Sequence, residues 1–224
     1  MTTSRAAAII LAKELRAEFR TRELLNTTIV FALMVVVLFS FSFDPTSAES
    51  RRFGPGLLWI AFLFAGSLML HPSFAREQAN DTLNALRMAP VDPFAILLGK
   101  TLANFSFLLF AELLLLPIFA VLYNISFAGV LGRLLLVLVL GTLGIVVTGT
   151  VFSAVAAQAR MRELLLPLLL LPVLTPLLIA AVEATIGLLG DPPELPRSWL
   201  AVLIGFDTVF LTASWLLCDH LLEE

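Results

Sequence analysis

Runs of about 20 apolar residues recur along this chain with only short polar breaks between them, and that leaves it one solvent to fold in. A hydrocarbon core about 30 Å thick is crossed by about 20 residues of helix, and six such runs fit here: Leu25 to Phe43, Leu57 to Phe74, Phe94 to Tyr123, Val130 to Ala157, Leu164 to Leu189 and Trp199 to Cys218. Backbone groups in lipid must be satisfied within their own segment, and the alternation of a barrel strand is absent, so each run is expected to be helical. Composition agrees: 59% of the 224 residues are hydrophobic and 14% charged, against the roughly 45 to 50% apolar share of a soluble domain. The expected fold class is an all-α polytopic membrane protein.

Lysine and arginine set the orientation, because cytoplasmic loops carry the excess. Arg5, Lys13, Arg16, Arg20, Arg22, Arg76, Arg87, Lys100, Arg160 and Arg162 gather on one side; Arg51, Arg52, Arg133 and Arg197 fall on the other. Both termini are thereby expected in the cytoplasm. Trp59 and Trp199 fall at expected outer span ends and Trp215 near an inner one. The first 23 residues contain Glu14, Glu18 and Glu23 and lead into a retained span, unlike a signal peptide.

Several function classes lose their footing. A net charge of -3 offers nothing to nucleic acid. The single cysteine, Cys218, allows neither an internal disulfide nor a cysteine metal cluster. His71 and His220 lack carboxylate or cysteine companions at metal-ligand spacing. "FAILLGKT", Phe94 to Thr101, ends like a phosphate-binding loop but has phenylalanine where that motif needs glycine, and it opens an apolar helix. Lys100 is read instead as a charge snorkelling to the inner surface. No loop exceeds about twenty residues, too little for a soluble catalytic domain. Any motive force is therefore expected from another chain.

Two polar segments are patterned. In "REQANDTLNALRMAP", Arg76 to Pro90, Ala79, Leu83, Leu86 and Pro90 share one face of a short helix, while Arg76, Glu77, Asp81 and Arg87 lie largely off it. A mixed-charge face with a few leucines fits a protein groove better than a lipid surface, which selects lysine-rich faces with bulky anchors. Near the N-terminus, Ala8, Leu11, Ala12, Leu15 and Phe19 form an apolar stripe. Lys13, Arg16 and Arg20 stand on another face, and Glu18 is placed to pair with Arg22. This pattern predicts a helix along the inner leaflet that feeds the first span.

Inside the spans, Glu112 and Asp207 must face protein or water, because an ionised group costs about 2.5 to 3.5 kcal/mol there on insertion scales. Lys100, Asn104, Leu108 and Glu112 repeat at i+4 and give the third span a polar stripe, which either lines a cavity or bonds to a neighbouring helix. Gly144 with Thr148, and Gly149 with Ser153 and Ala157, have the small-xxx-small spacing of close helix packing. Pro167, Pro172 and Pro176 are expected to kink the fifth span. Pro117 is expected to break the outer portion of the third, or make it re-entrant.

The passages "KELRAEFRTRELLN", "VVVLFSFSFDP", "GPGLLWIAFLFAGSL", "FAREQANDTLNALRMAPVDPFAILLGK" and "LLPLLLLPVLTPLLIAAVEA" resemble, in order and spacing, the CcmB family of haem exporter membrane subunits in cytochrome c maturation. That family lies within the type-2 ABC exporter permeases. The resemblance covers nearly the whole chain. It implies an amphipathic connecting helix over 1–24, a six-helix permease domain over 25–218 with a cytoplasmic coupling helix at about 76–90, and a tail over 219–224. The coupling surface carried over is Arg76, Glu77, Asn80, Asp81, Leu83, Leu86, Arg87 and Pro90; Asp81 departs from the small residue expected before Thr82 and Leu83. The connecting helix would present Arg16, Arg20, Arg22 and Glu23. Lys100, Asn104, Glu112 and Asp207 remain the intramembrane polar group.

The resemblance further implies a bacterial inner-membrane, non-catalytic subunit. Its expected partners are a second copy of itself, the ATPase CcmA, the membrane protein CcmC and the haem chaperone CcmE, besides membrane lipid. No cofactor is expected on the chain itself: ATP belongs to the partner, and haem is handled by the complex. Force transmission that releases loaded CcmE from CcmC is favoured over haem ligation, since there is no tryptophan-rich stretch and no outer histidine. Two rivals stand beside it. An ion-coupled secondary transporter would use Glu112 and Asp207 but predicts internal repeats, and none is convincing. A scaffold of the same complex would only tether partners.

Overall fold

A computed structural model describes residues 2–42, 48–70, 92–157 and 162–223. Among these residues the chain forms seven helices: α1 (Thr3–Thr21), α2 (Glu23–Ser42), α3 (Ala48–Leu70), α4 (Pro93–Leu122), α5 (Leu131–Ala157), α6 (Arg162–Leu188) and α7 (Arg197–Glu223). Six are long and apolar enough to cross a bilayer, over Glu23–Ser42, Arg52–Leu70, Pro93–Leu122, Leu131–Ala156, Leu169–Leu188 and Arg197–Cys218. Apolar run length therefore located every span to within about five residues. The stretch left between the first two expected spans, residues 44–56, is partly helical, because helix α3 already begins at Ala48.

Helix α5 is the axis of the bundle. Of its most apolar window 67% is buried, against 22% for α2 and 17% for α7 at the periphery. The cause lies in three glycines, two of them two turns apart on α5 and one on α3. A Cβ on Gly141 would strike the Trp59 ring, one on Gly149 would strike Leu70 Cδ1, and between them Ile145 touches Gly66, all along the seam with α3. Close backbone approach replaces the side-chain layer there, as small-residue spacing in lipid allows.

Trp59 is consequently not an interfacial ring. It is 1% exposed, wedged over Gly141, and its Nε1 donates to Thr185 Oγ1 on α6 at 3.0 Å. Position along the sequence suggested a headgroup site, but the early start of α3 at Ala48 places Trp59 about three turns into that helix. Trp199 is half-buried at the start of α7, and Trp215 is exposed near its far end.

The break expected at Pro117 is also absent. Helix α4 runs through Pro117 for 30 continuous residues, and α6 is continuous past Pro167, Pro172 and Pro176. A proline inside a membrane helix frees one carbonyl, which neighbouring groups can re-satisfy without ending the helix. At 1.5 Å per residue α4 reaches about 45 Å. That length exceeds the hydrocarbon thickness of about 30 Å, which a span accommodates by tilting or by projecting at one end.

Which ends lie together follows from a small apolar cluster of Ile10, Ile96, Leu97, Ala154 and Cys218, joined by Phe94 and Val151. It collects α1, the start of α4, the end of α5 and the end of α7 on one face. At the opposite face the start of α5 meets the α6–α7 connection, where Arg133 Nη1 donates to the Pro193 carbonyl at 3.2 Å.

Candidate functional site

The segment that carries the expected coupling surface, from Arg76 through Glu77, Asn80, Asp81, Leu83, Leu86 and Arg87 to Pro90, lies outside the described residues, as does His71. What is described is the structure that receives its end. Asp92 caps α4: its Oδ1 accepts from the Phe94 N–H at 2.9 Å, and Pro93 fills the first helical position, where no N–H is needed. The other oxygen, Oδ2, accepts from the Thr3 hydroxyl at 3.1 Å. One carboxylate thus joins the head of α1 to the head of α4.

From there α1 runs along the first turns of α4. Ala6, Ala7 and Ile10 are buried, and a Cβ added to Gly99 would lie 2.8 Å from Ile10 Cβ and 2.9 Å from the Ala7 carbonyl oxygen. The two backbones touch at that glycine. One residue on, Lys100 Nζ donates to Glu14 Oε1 at 3.2 Å, and Lys13 approaches the same oxygen at 3.4 Å. Lys100 is 1% exposed, so it does not snorkel; α1 covers it and supplies the counter-charge.

The far end of α1 is fastened as well. Arg22 turns the chain through a left-handed conformation (φ 54°, ψ 16°) between α1 and α2. Buried Glu18 places Oε1 on the Leu25 N–H at 2.8 Å. A carboxylate on one of the unpaired N–H groups of a helix's first turn satisfies that donor and complements the helix dipole. The pairing of Glu18 with Arg22 expected from their spacing does not form, because the elbow at Arg22 interrupts the helix and turns Glu18 inward. Of the expected stripe, Leu11 and Leu15 pack on the core, but Ala8 and Phe19 are exposed. The buried face is rotated toward Ala7, Ile10, Glu14 and Glu18, a line at i+3 and i+4 spacing that ends in two acids. Acidic residues concealed that face from a hydrophobic pattern.

Among the spans, the polar stripe of α4 resolves into helix-to-helix bonds. Asn104 Nδ2 donates to Thr150 Oγ1 at 3.4 Å, and the Thr142 hydroxyl donates to Glu112 Oε2. Thr142 and Thr150 stand two turns apart on α5, as Asn104 and Glu112 do on α4. The antiparallel helices therefore meet in a polar seam, and Glu112 is fully buried within it.

Asp207, midway along α7, is a separate case. It is 4% exposed, and neither carboxylate oxygen has a hydrogen-bond partner among the described residues. It faces Gly144, on a different side of α5 from Thr142. A Cβ at Gly144 would come within 2.8 Å of Asp207 Oδ1 and 2.7 Å of Leu177 Cδ1. The four intramembrane polar residues are thus divided among three environments: an ion pair with α1, the α4–α5 seam, and the α5–α7 contact. Arg16, Arg20 and Glu23 are exposed around the elbow, as is Arg22 at its turn.

The chain matches the model of the family described as CcmB protein over residues 5–222. It is 32% identical to heme exporter protein B of Pseudomonas aeruginosa over 203 residues, covering 89% of this chain and 90% of the relative. The corresponding protein of Rhodobacter capsulatus is 33% identical over 193 residues, 86% of this chain and 88% of the relative. That of Bradyrhizobium diazoefficiens is 27% identical over 187 residues, 84% of each. Such a match takes in the fastened amphipathic helix, the polar seam and all six spans, and by it the chain belongs to the CcmB family.

Proposed function

We propose that the chain is the permease subunit of a haem-exporting ABC complex of cytochrome c maturation. It would be a non-catalytic inner-membrane protein with both termini in the cytoplasm, working as a two-fold dimer. The family, whose curated members are named heme exporter protein B, supports this reading. In it residues 1–24 are the connecting helix and 25–218 the permease domain, with 219–224 a tail. Residues 76–90 are the coupling segment, seated on a separate ATPase, CcmA, where ATP is bound and hydrolysed.

The observation that carries the mechanism is the fastening of α1 at both ends. A push on the residues before Asp92 enters α4 through its own N-terminus and enters α1 through Thr3. It reaches α2 through Glu18 at the elbow. Two spans then move with one coupling segment, and the Lys100–Glu14 pair keeps strut and span in register. On this reading haem is handled by the complex and is not ligated by this subunit. The shape change frees the haem-loaded chaperone CcmE from CcmC.

Co-purification of the detergent-solubilised chain with CcmA, followed by ATP turnover with and without loaded chaperone, tests the proposal. Turnover that rises with loaded CcmE and CcmC and collapses in Leu83→Asp or Leu86→Asp is the expected result. Haem-stimulated turnover by this chain and CcmA alone, with haem delivered across a vesicle membrane, would overturn chaperone release in favour of direct export. A complex that forms and turns over normally with both leucines replaced would remove the coupling role of the segment.

A further inference from the structure

Tertiary packing sorts the charges of α1 by sign. The two acids within this helix, Glu14 and Glu18, both point inward, one to Lys100 and the other to the N-terminus of α2. Its four cations, Arg5, Lys13, Arg16 and Arg20, are all exposed. Arg5, Arg16 and Arg20 have no ion-pair partner among the described residues, while Lys13 shares the single Glu14 carboxylate with Lys100. At 100° per residue these four lie within one broad arc of the helix, opposite the line Ala7, Ile10, Glu14 and Glu18. Ile9 and Phe19, 55% and 64% exposed, stand in or beside the same arc. Counted in the sequence, the helix is a mixed-charge segment; as it is packed, its outward face is basic with two apolar anchors.

The height of this face is also fixed. Helix α1 ends one residue before α2 begins, and it lies against the first turns of α4, both of which are spans. Its outward side is therefore held at the headgroup level of the leaflet that α2 and α4 enter. A Lys/Arg-rich face with apolar anchors held at that level is the arrangement that binds anionic lipid. We propose that the outward face of α1 is a docking surface for anionic phospholipid headgroups, with Arg5, Arg16 and Arg20 on the phosphates and Ile9 and Phe19 in the acyl boundary.

The full chain is reconstituted in nanodiscs of phosphatidylcholine alone or mixed with phosphatidylglycerol, and the lipids it retains are counted by native mass spectrometry. Wild type is expected to retain phosphatidylglycerol several-fold above its share of the mixture. The triple variant R5Q/R16Q/R20Q should lose at least about fivefold of that enrichment, the factor expected of a single cation near an anionic surface. Arg133→Gln, at the opposite face of the bundle, should keep it. High salt should erase the enrichment in wild type, which serves as a second measurement should the triple variant fail to fold. Equal enrichment in wild type and a folded triple variant, or enrichment that survives high salt, overturns the proposal. So does a photo-crosslinker at position 16 that captures the ATPase rather than lipid in the assembled complex.

Discussion

Glu112 and Asp207 both carry carboxyl groups within spans, both are buried, and both face α5, yet Glu112 has one oxygen bonded and only Oε1 without a partner among the described residues, while Asp207 has neither oxygen bonded. Glu112 meets Thr142 in a seam whose polar residues recur at matching two-turn spacing on both helices. Asp207 meets Gly144, which offers close approach and no side-chain donor. Burial alone therefore says little about a polar group in a membrane helix. What decides its energetics is the residue on the facing turn, since an unsatisfied buried group costs about 1–3 kcal/mol while a made hydrogen bond contributes about 0.5–1.5 kcal/mol.

The sharpest way to break the comparison is to fill the space at Gly144. Gly144→Leu forces a side chain where Leu177 and Asp207 Oδ1 already lie, and should destabilise the bundle by about 3 kcal/mol, read as earlier unfolding in detergent. Wild-type stability in that variant would mean that α5 and α7 are not in contact there. Next comes the buried cation Lys100. Glu14→Ala leaves it without its carboxylate, at a cost of about 2 kcal/mol, below the value for a fully buried pair because Glu14 is 27% exposed. Adding Lys100→Met should restore most of the loss, and a double variant no better than the single would refute the pairing.

Within the seam, Glu112→Leu orphans the Thr142 hydroxyl and should cost about 1–2 kcal/mol. In a double-mutant cycle with Thr142→Val the two changes should couple by about 1 kcal/mol, and additivity would show that the bond contributes nothing. The smallest effect is expected at Asp207. Asp207→Asn or Asp207→Leu removes a carboxylate that satisfies no partner in the chain, so stability should change by less than about 0.5 kcal/mol or rise. A large loss would point to a donor supplied from outside this chain.

Much of the fold was legible in the residues. Run length located the spans because hydrocarbon thickness imposes it, and the glycine spacing of α5 announced its close contacts because only small residues let backbones meet. The polar stripe of α4 was visible from i+4 periodicity, though periodicity left open whether it lined a cavity or bonded to a neighbour; Thr142 and Thr150 on the facing helix decide for bonding. Trp59 misled because aromatic preference for an interface is a statement about span ends, and α3 begins earlier than its apolar run does. The inward face of α1 was missed because hydrophobicity marks burial only where buried groups are apolar. Glu14 and Glu18 are held inward by partners 86 and seven residues away.

By itself the sequence determined the solvent, the number and order of the spans, and which ends share a face. These follow from one-dimensional quantities, the length of apolar runs and the distribution of cations. Only the tertiary structure decided which charges are neutralised and which are displayed, because neutralisation requires a partner from another helix at hydrogen-bond distance. The same physics converts a mixed-charge N-terminal segment into a basic face and distinguishes Glu112 from Asp207.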